Sequence, residues 1–309
     1  MASYIIRRLA SLIFVILAVS MIVFALMHSV PGGPFDEDKQ PLPPAAKANI
    51  LRKYGLDRPV WEQYLRYMWN ALQLDFGVPY QSPTETIPQL ISRVWIPTLQ
   101  IGLLTILLSF TLGPILGILA ALHHNSAIDY FSSFLSALGL AVPNFIFALW
   151  LILIFSVRLN LLPTGGWGEP KHFILPVIAY ALAPIALTAR YTRSGMLDAM
   201  RGDYVRTARA KGLRERTVVY RHILRNALIP VITVFAPMIP NILTGSIFIE
   251  ATFRIPGLGK FFITSTFERD YPMIMALVLL VGVLWGFTYL AADMLYTVAD
   301  PRINFEGKS

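Results

Sequence analysis

The sequence predicts an all-α integral membrane protein with six transmembrane helices and both termini in the cytosol. Three observations predict it. The 309 residues are 55% hydrophobic and 14% charged, with a mean hydropathy of +0.58, whereas a soluble globular domain carries roughly a quarter charged residues. The charges are clustered, leaving runs without Asp, Glu, Lys or Arg at 9–35, 94–128, 130–157, 172–189, 226–249 and 271–292. Lys and Arg are also shared unequally among the segments that join those runs.

A helix rises about 1.5 Å per residue, so roughly 20 apolar residues cross a hydrocarbon core of about 30 Å. The runs therefore predict spans near 9–30, 97–122, 131–157, 173–190, 227–249 and 272–298, within one transmembrane domain covering 1–309. The first run follows Arg7 and Arg8, as in a signal peptide, but its apolar core continues to Val30 and "HSVPGGPF" offers no small-residue cleavage site. It is read as a retained helix.

The loop 31–96 is placed outside. Within it Pro59 suits the first turn of a helix, and Trp61, Leu65, Met68 or Trp69, and Leu72 share one face beside Tyr64 and Tyr67. Such a helix lies near the membrane interface or packs against the spans. Pro114, Pro143, Pro176, Pro184, Pro237 and Pro240 invite kinks within the spans. Asn144 and Asn241, beside two of those prolines, either line a polar route or hydrogen-bond between helices. From 250 to 271, "EATFRIPGLGKFF" is too polar and too rich in Gly and Pro to continue the fifth helix. A loop dipping toward a pathway explains it, since irregular backbone at depth needs cover from protein or water. Glu250 and Arg254 are spaced to pair if the fifth helix runs on by a turn. Asp293, near the end of the last span, reaches the inner interface or pairs with a basic residue.

Orientation follows from counting Lys and Arg in the short loops. With the N-terminus inside, the inner segments hold Arg7 and Arg8, ten basic residues from Arg190 to Arg225, and Arg302 with Lys308, fourteen in all. The outer short loops hold five: Arg158, Lys171, Arg254, Lys260 and Arg269. The long loop carries seven basic and seven acidic residues and is neutral.

The segment 191–226 thus becomes a cytosolic loop holding most of the net charge of +8. Basic charge alone would orient the protein and lie against anionic lipid. The pattern contains more. Met196, Met200, Tyr204 and Ala208 recur every four residues as a less polar helical stripe. Gly212 interrupts it, and a second amphipathic piece follows from Arg214 to Leu224 with Val218, Val219 and His222 among its charges. Two helices joined at a glycine, apolar on one side, make a docking surface. Glycine there allows a left-handed turn or a close backbone approach.

Catalytic patterns are weak. "EGKS" has Arg302 where a phosphate loop needs its first glycine, and in "PGLGKFF" Phe261 follows Lys260, so neither is a nucleotide site. The five histidines, of which His123 and His124 are adjacent, show no metal-ligand spacing, and there is no cysteine. The chain is read as no enzyme, with no metal site.

"YVRTARAKGL" followed by "RHILRNALIP" resembles the cytoplasmic coupling loop of ABC-importer permease subunits of the dipeptide and oligopeptide branch. "IIRRLASLIFVILAVSMIVFALMHSVPGGPFD", "YGLDRPVWEQYLRYMWNALQLDFG", "GSIFIEATFRIPGLGKFFITSTFERDYPMI" and "DMLYTVADPRI" resemble that branch's first helix, outer loop, outer gate and C-terminus, in the right order. "PGGPFD" followed by "LPP" is nearer the oligopeptide subunit than the dipeptide or nickel ones. One departure is Arg206, which stands where other importers carry the glutamate that names the loop.

The resemblance implies a type I ABC-importer permease fold in a bacterial plasma membrane. It implies a heterodimer with a second permease, two cytosolic ATPase subunits, and an external or periplasmic binding protein that delivers a peptide. ATP and magnesium would bind the partner ATPases and no cofactor this chain; nucleic acid is no partner. The coupling residues implied are Tyr204, Arg206, Thr207, Ala208, Arg209, Ala210, Lys211, Gly212 and Leu213. The outer gate implied is Glu250, Phe253, Arg254, Pro256, Gly257 and Gly259. A permease for nickel or a glycan is the alternative, and an ion-gradient-driven secondary transporter a further one, though neither an internal repeat nor a central carboxylate speaks for it.

Overall fold

A computed structural model describes residues 2–35, 44–80 and 83–299. Arg302, Lys308, the "LPP" motif and the end of "DMLYTVADPRI" lie outside the described residues. Among those described, helix is the only regular secondary structure. The chain divides into two compact units, one of residues 97–257 with 287 onward, the other of 2–96 with 258–286.

The second of these begins with α1 (Ala2–Ser29), α2 (Pro44–Tyr54) and α3 (Val60–Leu72). It adds the first turns of α4 (Ile87–Leu122), then α13 (Gly259–Glu268) and the first half of α14 (Tyr271–Ala299). Its core joins Ile87, Leu90 and Val94 of α4 to Leu258, Met273, Ala276 and Leu277. Asp270 caps α14: its carboxylate accepts the backbone N–H of Met273 at 3.2 Å and that of Tyr80 at 2.7 Å.

The other unit holds the rest of α4, α5 (Ala127–Ala141), α6 (Asn144–Leu151), α7 (Lys171–Met200), α8 (Asp203–Ala210) and the single turn α9 (Glu215–Thr217). α10 (Leu224–Phe235), α11 (Met238–Leu243) and α12 (Ile247–Thr252) complete it. π-helical stretches continue α6 through Ile152–Arg158 and join α9 to α10 through Val218–Ile223. One core gathers Ile101, Ala148, Leu151, Leu175 and Ile249; a second gathers Ala121, Met196, Val205, Val218, Ile223 and Ala227.

Among the described residues five helices are long and apolar enough to cross a membrane: Ile6–Ser29, Ile87–Leu122, Lys171–Met200, Glu215–Phe235 and Tyr271–Met294. A sixth span forms if Ala127–Ala141 and Asn144–Arg158, which meet at 107°, count as one. The bend sits at Pro143, whose ring forces Val142 into an extended conformation with ψ 121°. Pro114, Pro176 and Pro184 remain inside continuous helices. The stretch expected as a single fifth helix, 227–249, is divided among α10, α11 and α12, with breaks beside Pro237 and at Gly245, where φ is 91°. Large apolar side chains such as Phe14, Leu107 and Phe131 stay exposed, which a hydrocarbon solvent permits.

Candidate functional site

Two groups of residues carry chemistry that packing alone does not explain: the basic segment around α8 and the turn after α12.

α7 runs past the apolar stretch to Met200, and Gly202 then takes extended backbone, with ψ 143°, as the residue that caps α8. The four-residue stripe from Met196 to Ala208 is therefore not one helix face; it is split between two helices. Met196 and Ala208 are buried, but Tyr204 is 43% exposed. Val205, outside the stripe, is fully buried and anchors α8 with Ala208. The rotation introduced at Gly202 is what brings Val205 inward.

The remaining residues expected to form the coupling loop face out. Tyr204, Arg206, Thr207, Arg209, Ala210, Lys211, Gly212 and Leu213 are all exposed. α8 ends at Ala210, and Gly212 takes φ 72° with nothing within 4 Å of where a Cβ would stand. The left-handed turn favours glycine there, whereas crowding within this chain does not require it. Arg209 Nη2 donates to Glu215 Oε1 at 2.6 Å and its Nε to Oε2 at 3.2 Å, a two-pronged bond that bridges the glycine turn and fixes the angle between α8 and α9. Arg206 reaches only Asp203, at 3.5 Å, and Thr207 donates to the Asp203 carbonyl at 3.0 Å.

A brace lies in the same unit. Asp129, 1% exposed at the start of α5, accepts from Arg193 Nε at 2.5 Å and Nη2 at 2.9 Å and from the Asn125 N–H at 3.0 Å. His124 Nδ1 lies 3.0 Å away. The carboxylate thus ties the α4–α5 turn to the part of α7 that leads into α8. Sequence reasoning missed this pair. The available signal was Asp129 itself, an acid standing alone between two charge-free runs in the first turn of a helix, and it does not identify Arg193 as the partner.

The turn after α12 surrounds a second buried carboxylate. Ser246 caps α12 by accepting the Ile249 N–H. α12 stops at Thr252, before the extra turn that would align Glu250 with Arg254; Arg254 adopts φ 54° and is exposed. Glu250 is only 5% exposed and its Oε1 accepts from Thr98 at 2.7 Å. Its backbone carbonyl accepts the Ile255 N–H at 2.8 Å, and the Ile255 carbonyl accepts that of Gly257 at 2.8 Å across Pro256. A Cβ on Gly257 would stand 2.5 Å from the Glu250 carboxyl carbon. Phe253, 1% exposed, packs into the core, and its carbonyl accepts the Gly166 N–H at 2.8 Å. Glu250, Phe253, Arg254, Pro256 and Gly257 therefore share one turn, whereas Gly259 opens α13 in the other unit.

The structure does not join the two asparagines into a site. Asn144 opens α6 and is half-buried; Asn241 lies on α11 and is exposed. Neither side-chain amide has a hydrogen-bond partner among the described residues. The Asn241 backbone carbonyl accepts from Tyr180 at 3.1 Å.

Residues 113–305 match the family model described as binding-protein-dependent transport system inner membrane component, and residues 1–79 match the model of the N-terminal part of such membrane components. The chain is 42% identical to the oligopeptide transport system permease protein AppB of Bacillus subtilis (strain 168), over 99% of this chain and all of the relative. It is 39% identical to the dipeptide transport system permease protein DppB of the same strain, over the whole of both. Identity to the oligopeptide transport system permease protein OppB of Salmonella typhimurium is 36%, over 99% of this chain and all of the relative. Among solved structures, an inward-facing form of the MetNI methionine ABC transporter matches with a TM-score of 0.56 at 16% identity, over 69% of this chain and 97% of that one. That likeness shows the fold alone, the type I ABC-importer permease fold.

Proposed function

The chain belongs to the binding-protein-dependent transport system inner membrane component family, and from that premise we propose that it forms half of the pathway of an ATP-driven peptide importer. The cargo is an oligopeptide or dipeptide delivered by an external binding protein. The other half comes from a second, homologous permease, and two ATPase subunits bind ATP and magnesium in the cytosol. The observation that carries the substrate class is likeness over the whole chain, at 36–42% identity, to permeases named for dipeptide and oligopeptide transport.

The mechanism follows from the local geometry. α8 is anchored by Val205 and Ala208 and offers its opposite, charged face with Gly212 and Leu213 at the tip. A partner that grips this face when ATP closes it moves α8 as a rigid piece, because the Arg209–Glu215 bond stiffens the turn beyond it. The displacement reaches α7 through Gly202 and the spans through the Asp129–Arg193 brace. ATP then biases a two-state element rather than acting on the cargo. The turn around Glu250 is the outer gate, its buried carboxylate holding the turn closed against Thr98 of α4.

Co-expression tests this reading. The chain produced alone is expected to give no peptide uptake. Together with a second permease and the ATPases it is expected to purify as a complex whose ATP turnover rises when peptide-loaded binding protein is added. Peptide uptake by the isolated chain under a proton gradient would overturn the reading.

A further inference from the structure

A cavity of about 470 Å³ lies wholly within the unit formed by 2–96 and 258–286. Its walls come from the end of α2, from α3, from residues 75–80 and from the start of α14. It is separate in sequence from the coupling helices and from the Glu250 turn.

Aromatic rings form one side. Tyr54 and Tyr80 lie 4.7 Å apart between ring centroids, Tyr80 and Tyr271 6.4 Å, and Tyr271 and His28 4.7 Å. Asp270 holds the backbone of Tyr80 by accepting its N–H at 2.7 Å, and Tyr67 donates its hydroxyl to the Pro272 carbonyl at 3.0 Å. Burial, and then the neighbouring Asp270 charge, raise the Tyr80 phenol well above its ordinary range; burial does the same for Tyr67. Both phenols stay neutral, so any charge in the cavity comes from elsewhere.

The rim supplies it. Among the described residues, Arg52, Lys53, Arg58 and Arg66 line the cavity against one carboxylate, Asp75. Glu62 neutralises part of this, bonded to Arg58 at 2.5 Å and to Arg66 at 3.2 Å, and the Arg58 hydrogen bond lowers the Glu62 pKa so that the group stays ionised. Asp75 is turned to the Gly77 N–H at 3.0 Å. Arg52 and Lys53 stand exposed with no carboxylate at ion-pair distance among the described residues, and the Lys53 ammonium lies 5.6 Å from the Tyr54 ring centroid. A concave site with apolar aromatic walls and two cations that no carboxylate among the described residues pairs selects an anion carrying an apolar body. Its volume is that of a small-molecule site, not of the flat patch of roughly 800 Å² that a protein partner needs.

We infer that this cavity binds the C-terminal end of a short peptide, with the terminal carboxylate between Arg52 and Lys53 and an apolar or aromatic side chain against Tyr54, Tyr80 and Tyr271. The inference rests on the peptide-importer reading for the identity of the anion, and adds a recognition point on the permease itself.

The test uses the full chain alone in lipid nanodiscs, with the tripeptide Ala-Ala-Phe as the probe, titrated as free acid and as C-terminal amide. Saturable binding of the acid is expected, weakened roughly tenfold or more for the amide, the scale of losing a charge-assisted hydrogen bond. The Arg52→Gln/Lys53→Gln variant is expected to lose a similar factor for the acid and to lose the difference between acid and amide. Both side chains are exposed, so its circular dichroism should match the parent's. Equal binding of acid and amide, no saturable binding of the acid to the parent chain, or parent-like discrimination by the variant would each overturn the inference. So would a variant that weakens docking of the delivering protein in the assembled importer while free peptide never binds, since the anion would then belong to that protein's surface. No partner subunit is needed for the titration, so its failure leaves the co-expression result standing, and a failed uptake assay leaves the titration readable.

Discussion

A carboxylate with 5% of its surface exposed, as at Glu250, tolerates little rearrangement around it. Burying a charge costs several kcal/mol unless hydrogen bonds replace its water. Glu250 takes one such bond from Thr98 at 2.7 Å, and the backbone at Gly257 closes over it with no space for a side chain. Adding a single methyl at 257 would bring a carbon within 2.5 Å of the carboxyl carbon and within 2.7 Å of both oxygens. The carboxylate would have to leave Thr98 or the turn would have to open. Gly257→Ala is therefore expected to destabilise the chain by about 1–3 kcal/mol, the usual cost of overpacking, seen as a lower midpoint of thermal unfolding in detergent. The double variant Gly257→Ala/Glu250→Ala, which removes the colliding group, should recover part of the loss. Additive losses in the two single variants would show that the methyl clashes with something other than the carboxylate.

Between helices the same logic of space operates on Gly113 and Gly117 of α4. They are spaced as G-x-x-x-G in "GPILG", the pattern that lets helix backbones approach in a membrane. A Cβ at Gly113 would collide with the Thr188 hydroxyl, and one at Gly117 would stand 2.5 Å from the Ala189 carbonyl oxygen and 2.9 Å from the Arg193 nitrogen. Backbone cannot step aside as a side chain can, so Gly117→Leu is expected to separate α4 from α7 and to lower folded yield sharply, at a cost of about 3 kcal/mol or more. It should also loosen the Asp129–Arg193 brace, because the Arg193 backbone is among the groups displaced. Leu119→Ala, on an exposed position of the same helix, should leave size-exclusion profiles unchanged; equal damage from both would mean that α4 fails for another reason. The spans were legible as charge-free runs because hydrocarbon excludes charge. Helix ends were not, because α4 begins at Ile87 and α7 continues to Met200 through stretches that include Arg93, Arg190, Arg193 and Asp198, and a charged side chain ends an apolar run without ending a helix. The breaks at Pro143 and Pro237 were legible from residue type, while the second division of 227–249 depends on Gly245 adopting φ 91°, which composition does not announce. The Asp129–Arg193 pair joins residues 64 apart in sequence, and a count of loop charges cannot pair them. The helix–glycine–helix pattern was legible from Gly212 and the basic residues around it, but its inward residue Val205 was hidden by the turn at Gly202.

On the scale of the whole molecule, the charge pattern makes a claim about sides. Fourteen basic residues fall in the segments proposed as inner and five in the short outer loops, and moving Arg or Lys to a helix centre costs about 2.5–3.5 kcal/mol on insertion scales. The ten basic residues of 190–225 therefore hold that segment on one side of the bilayer once the chain is inserted. The coupling proposal requires that side to be the cytosol, and the peptide-cavity proposal requires α2 and α3 to face the other. The sequence contains no cysteine, so single engineered thiols report their location without background. Lys211→Cys sits on the exposed tip beyond α8, and Gln73→Cys on the exposed end of α3. In intact cells with the plasma membrane accessible, a membrane-impermeant maleimide is expected to label Gln73→Cys and to spare Lys211→Cys until the membrane is permeabilised. In the assembled importer the ATPases should slow labelling of Lys211→Cys even after permeabilisation, because they would cover the tip; removing them should restore the rate. Labelling of Lys211→Cys in intact cells would invert the topology and remove the physical basis for ATP acting on this chain, since the lever would then stand on the side where no ATPase is found.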